Sequence, residues 1–106
     1  MPQECFCALF LDQHCQFIQF CELSRGTPKS SPVHIGELAK QALKLHANAV
    51  IVAHNHPGGL LQPSEMDLKV TRQVKLALGI IEVALLDHLI VVGNDTLSLR
   101  EEGLVR

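Results

Sequence analysis

Ala49-Val50-Ile51-Val52-Ala53 is a short, wholly apolar run that stops on His54-Asn55-His56-Pro57. Its β-branched middle favours a central strand, and Pro57-Gly58-Gly59 breaks that strand at once. Side chains on a strand alternate with period two, so His54 and His56 leave the same side of its C-terminal end. That end is where α/β proteins commonly place ligands. Pro63-Ser64-Glu65-Met66-Asp67 follows. Ser64 can cap a new helix, and Asp67 stands at the capping-box position, so a carboxylate is held in the first helical turn. The whole reads H-x-H-x7-S-x2-D.

Two imidazoles and a carboxylate on rigid elements form the ligand set of a catalytic zinc, with a fourth position open to water. An H-x-H pair alone is common. The P-S-x-x-D at a helix start gives this one its weight. The string His-Asn-His is not the HNH nuclease motif, whose three residues are widely spaced.

Around this core the chain alternates strands and helices. Cys5 to Leu11 is nearly all apolar, which suits a strand covered on both faces. Cys15 to Leu23 alternates and forms a hairpin with it through Asp12-Gln13-His14. Ser24 to Pro32, with Gly26, Pro28 and three serines, is a loop. Pro32 or a residue just after it opens a helix, whose apolar face recurs at Ile35, Leu38, Ala39, Ala42 and Leu45. The helix from Ser64 continues through Val70, Thr71, Val74, Ala77 and Leu78 to near Gly79. Strands are expected over Ile80–Leu86, Leu89–Val92 and Thr96–Leu99, the last two joined by a turn at Gly93-Asn94-Asp95. The order β-β-α-β-α-β-β-β predicts an α/β (α+β) fold, a mixed β-sheet flanked by helices.

Composition narrows the function. A chain of 106 residues, 47% hydrophobic and 19% charged, is one globular domain over 1–106. Its net charge is −2, Trp and Tyr are absent, and no basic stripe is visible, which disfavours nucleic-acid binding by this domain alone. No apolar run approaches a membrane span, and no secretion signal is evident, so a cytoplasmic location is expected. Cys5, Cys7, Cys15 and Cys21 lack paired C-x2-C spacing. A Cys5–Cys21 cross-strand disulfide is conceivable, but small buried hydrophobes are the favoured reading. Exposed hairpin edges make a homodimer plausible.

His54-Asn55-His56-Pro57, Pro63-Ser64 with Asp67, and Asp87-His88-Leu89-Ile90-Val91 together closely resemble the RadC-like family. Arg25-Gly26-Thr27 and Val33-His34 with Glu37 look like the same family. These proteins are similar to the JAB/MPN (JAMM) metalloprotease superfamily, whose pattern is E…H-x-H-x(10)-D and whose layers resemble those of cytidine deaminases. Ten residues separate His56 from Asp67 here, which matches.

The resemblance implies one zinc ion per chain, held by His54, His56 and Asp67. It implies that Ser64 helps stabilise the oxyanion of a tetrahedral intermediate, and that a glutamate at the start of the first strand is the general base. Glu4 matches that position best, with Glu37 on the first helix as competitor. The implied activity is a zinc-dependent hydrolase cleaving a peptide or isopeptide bond. The alternatives are a DNA-repair-associated or mobile-element accessory module with little catalysis, and a metal-dependent nuclease.

This chain departs from the family at two places. Gly58 stands where a serine is usual, and Ile35-Gly36 replaces a proline and a basic residue. Neither touches a proposed ligand, and both bear on substrate handling. His14, His34 and His46 suit surface or capping positions. His88 suits packing or support of the ligands from behind. Asn55 would point away from the imidazoles and bond backbone.

Overall fold

The computed structural model describes residues 4–25, 32–56 and 59–105. Strands β1 (Cys5–Leu11) and β2 (Phe17–Arg25) precede helix α1 (Pro32–Lys44) and strand β3 (Ala49–Asn55). Helix α2 (Glu65–Ile80), β4 (Ala84–Val92) and β5 (Asp95–Ser98) complete the order. The five strands form one sheet ordered β2-β1-β3-β4-β5. β1 is antiparallel to β2 and β3, β3 is parallel to β4, and β4 is antiparallel to β5. A parallel pair cannot be joined by a tight turn, and α2 supplies the crossover from β3 to β4. The sheet is therefore mixed and the fold α+β, as the order of elements predicts.

Period-two alternation builds the core. Phe6, Ala8 and Phe10 of β1 and Val50 and Val52 of β3 are buried in one cluster with Leu38 and Ala42 of α1 and Val70, Val74 and Leu78 of α2. Each large apolar side chain among them contributes about 1.5–3 kcal/mol on leaving water. The intervening Cys5, Cys7 and Leu9 are only half-buried. The expectation that both faces of β1 are covered is thus corrected: both helices pack on one face, and apolar residues on the other keep partial contact with solvent.

β4 is the larger correction. Ile80–Leu86 and Leu89–Val92 are not two strands. Ile80 ends α2, Ile81 and Glu82 form a turn, and a single strand runs through Asp87-His88. The ladder absorbs one extra residue here: Val50 lies opposite Leu85 and Ile51 opposite Asp87, so Leu86 is a bulge. The Asp87 carboxylate accepts from the backbone N–H groups of His88 (2.7 Å) and Arg100 (2.9 Å), and also from the Ser98 hydroxyl. Those bonds tie the polar dipeptide into the sheet.

Smaller shifts follow the same logic. Ser24 and Arg25 continue β2 rather than starting the loop, whose residues 26–31 lie outside those described. Asp95 belongs to β5, and Leu99 follows it. Cys21 lies opposite Ala8 and Cys5 opposite Arg25, so the β1–β2 register excludes a Cys5–Cys21 bridge, and none of the four cysteines is in a disulfide. At the hairpin tip Asp12 Oδ1 accepts from the N–H groups of His14 (2.8 Å) and Gln16 (3.0 Å). The Gln16 bond first, then that of His14, holds the Asp12 carboxyl below its ordinary pKa. Among the described residues no helix is long and apolar enough to cross a membrane.

Candidate metal centre

The buried stripe of α2 runs Asp67, Val70, Thr71, Val74 and Leu78. Its polar members, Asp67 and Thr71, both lie in the first two turns, where Asp67 meets His54 at the C-terminal end of β3. The buried side of β3 changes in the same way, from Val50 and Val52 to His54. A polar patch inside a core is stable only if its members satisfy one another.

They converge. His54 Nε2 lies 2.8 Å from His56 Nε2 and 3.0 Å from Asp67 Oδ1. His56 Nε2 lies 3.1 Å from Asp67 Oδ2. The side chains of His54 and Asp67 are 0% exposed and that of His56 is 17% exposed, so the cluster opens to solvent on the His56 side. Among the described residues this is the one group of three or more His, Cys, Asp or Glu side chains placed to hold a metal.

Each member is positioned from behind. Asp67 sits in a complete capping box: its N–H donates to Ser64 Oγ (3.0 Å), and the Ser64 N–H donates to its Oδ2 (2.8 Å). The His56 N–H donates to the Val91 carbonyl (2.9 Å), extending the parallel ladder one residue past β3. His56 Nδ1 lies 3.2 Å from the Leu60 carbonyl. A carbonyl only accepts, so Nδ1 carries the proton and the neutral ring offers a bare Nε2 to the cluster. Gly59 passes close by. A Cβ there would stand 2.9 Å from His56 Cβ, and the Gly59 N–H donates to the His56 carbonyl (3.0 Å). His54 Nδ1 meets His88 Nε2 at 2.8 Å.

The donor set suits a divalent metal. Tetrahedral bonds of about 2.0–2.1 Å set ligand atoms about 3.3 Å apart, close to the observed separations. Two imidazole nitrogens and one carboxylate also match a known class of catalytic zinc site, in which two histidines and an acidic residue leave one position open.

The other sequence candidates fall as follows. Phe6 pairs with His54 at the end of the β1–β3 ladder, and Glu4 stands two residues before it, half-buried and ahead of β1. The Cys5 N–H donates to Asn55 Oδ1 (2.6 Å), which pins the chain beside Glu4 and gives Asn55 the backbone-bonding role expected of it. Glu37 is exposed on α1, 3.7 Å from Lys40. Ser64 is exposed at the helix cap. Gly58, the family departure beside the ligands, lies outside the described residues. Sequence reasoning missed Thr71 and the Leu60 carbonyl, and left His88 undecided. Thr71 did carry a signal: it is a polar residue four positions after Asp67 on an otherwise apolar stripe.

Sheet, helix cap and convergent donors together describe an α+β domain built around a metal-type site. A family model, the RadC-like JAB domain, matches residues 1–104, and the chain belongs to that family. It is 44% identical over 104 residues to a UPF0758 protein of Marinobacter nauticus, covering 98% of this chain and 46% of that protein. It is 46% identical over 101 residues to one of Acidithiobacillus ferrooxidans, covering 95% and 45%. A third, from Cellvibrio japonicus, is 45% identical over 101 residues, again covering 95% and 45%. The chain therefore spans less than half the length of these relatives.

Proposed function

We propose that this chain is a zinc-dependent hydrolase domain acting on peptide or isopeptide bonds. The observation that carries the reading is the convergence of His54 Nε2, His56 Nε2 and one Asp67 carboxylate at the buried end of β3. Membership of the RadC-like JAB family supports it. His54, His56 and Asp67 would hold the metal. When bound there, zinc supplies Lewis acidity: it polarises a carbonyl and acidifies water.

The remaining roles belong to the chain. Glu4 takes the proton of the attacking water and passes it to the leaving amine. The bond from the Cys5 N–H, the next residue along, to Asn55 Oδ1 between the two histidines supports this role for Glu4. Ser64 Oγ accepts from the Asp67 N–H, which leaves its own proton to donate to the developing oxyanion. Helix α2 holds Ser64 and Asp67 three residues apart, so oxyanion donor and ligand move as one body.

The test is hydrolysis of a quenched-fluorescence peptide library and of ε-linked lysine isopeptides by the zinc-loaded chain. Glu4→Gln should keep zinc and lose about 10²–10⁴-fold in rate. Full activity in zinc-loaded Glu4→Gln would remove Glu4 from the mechanism. Absence of turnover on every peptide and isopeptide would remove the hydrolase reading.

A further inference from the structure

Behind His54 lies a second buried histidine that the proposed chemistry does not use. His88 is 0% exposed, and its ring stands edge-on to that of His54 with centroids 4.8 Å apart. Its Nε2 lies 2.8 Å from His54 Nδ1, and its Nδ1 lies 2.5 Å from Thr71 Oγ1. Thr71 Oγ1 also lies 2.8 Å from the Asp67 carbonyl oxygen, one turn back along α2.

The direction of every bond in this chain follows from its last member. A carbonyl oxygen only accepts, and a hydroxyl has a single proton. The Thr71 proton therefore goes to the Asp67 carbonyl, and Thr71 Oγ1 can only accept from His88. His88 Nδ1 carries its proton, and the neutral ring presents a bare Nε2. His54 Nδ1–H then donates to that nitrogen, which leaves His54 Nε2 bare. Nε2 is the atom aimed at His56 and Asp67.

We infer that Thr71 and His88 are positioning residues that lock His54 in the tautomer with a bare Nε2, so that the site stands ready for a cation before one arrives. The inference rests on the metal-centre reading for its purpose, but not for its bond directions. With His54 and His56 both bare at Nε2, the two nitrogens and the Asp67 carboxylate face one another within 2.8–3.1 Å. A cation entering there would meet donor atoms already aimed by the groups behind them.

The sheet is built to deliver His88 here. Without the bulge at Leu86, alternation from the buried Leu85 would turn His88 to the opposite face. The extra residue instead sets His88 opposite Val52, one inward-facing pair below His54. Bulges that re-aim a side chain occur beside active sites. Asp67 also stands at both ends of the chain, its carboxylate in the cluster and its carbonyl behind Thr71.

The experiment is long-range ¹⁵N–¹H correlation NMR of the histidine rings in the metal-free chain at pH 8, for wild type, Thr71→Ser and Thr71→Val. Protonated Nδ1 and bare Nε2 on both His54 and His88 are expected in wild type and in Thr71→Ser. Thr71→Val, which keeps the shape and loses the hydroxyl, should give His88 a mixed tautomer. A proton on Nε2 of His54 in wild type would overturn the inference, as would a Thr71→Val spectrum unchanged from wild type. Zinc competition with a chromophoric chelator adds a second reading: His88→Ala should bind zinc about 10–100-fold more weakly, rescued in part by His88→Gln. Zinc affinity unchanged in His88→Ala would also count against it. If wild type binds no zinc, the metal reading falls, while the tautomers still decide the relay.

Discussion

His54 and His56 look interchangeable in the sequence, and the structure supports them in opposite ways. His54 is enclosed by core: β3 carries it, His88 and Thr71 back it, and its side chain is 0% exposed. His56 is the first residue past the strand, 17% exposed, and its ring rests on the Leu60 carbonyl of the following loop. One imidazole belongs to the fold and the other to a loop. Loops tolerate change and carry specificity, whereas packed histidines are tied to folding. A single metal would thus bridge the rigid and the adjustable halves of the domain.

The two halves are separable by substitution. Asp67→Ala should have the largest effect, because it removes a proposed ligand and half of the capping box together. Loss of metal with a stability drop of about 3–4 kcal/mol is expected from metal analysis and denaturant unfolding. His54→Ala should also lose the metal and cost about 2–3 kcal/mol, since it leaves a cavity and strands His88. His56→Ala should lose the metal with a stability change under about 1 kcal/mol. Equal unfolding midpoints for the two histidine variants would erase the distinction.

Gly59→Ala sharpens it from the loop side. The added Cβ would press on His56 Cβ at 2.9 Å, so the ring must move while the core stays put. Zinc affinity about tenfold weaker, with stability within about 0.5 kcal/mol, is the expected pair of results. Ser64→Ala should cost about 1 kcal/mol through the lost cap, seen as a lower melting temperature.

The smallest effect lies far from the site, at the hairpin tip. The Asp12 carboxyl is held below its ordinary pKa by the N–H groups of Gln16 and His14. The folded form therefore binds that proton less readily than the unfolded one. Its contribution is complete above the ordinary carboxylate range near about pH 4 and fades as pH falls through the depressed value. Asp12→Asn should flatten that acid limb of the unfolding curve slightly and leave metal binding unchanged.

How far these halves could be foreseen depends on the reach of the interactions. β1, β3, both helices and the meeting of His54, His56 and Asp67 follow from local periodicity and cap chemistry, and Val50, Val52 and His54 follow it to the letter. β4 was illegible because Asp87-His88 interrupts its apolar run. Partners distant in sequence keep the strand whole: Ser98 and Arg100 for Asp87, Thr71 and His54 for His88. The bulge at Leu86 breaks the very alternation used to find strands. Burial of only one face of β1 was hidden for a related reason, since an apolar strand does not state which of its faces the helices choose.

Metal content by mass spectrometry tests the central claim most directly, on wild type and His56→Ala purified without chelator. About one zinc per chain in wild type and none in a His56→Ala variant with an unchanged circular dichroism spectrum is the expected result. No metal in either protein, even after zinc is supplied at neutral pH, would contradict the account.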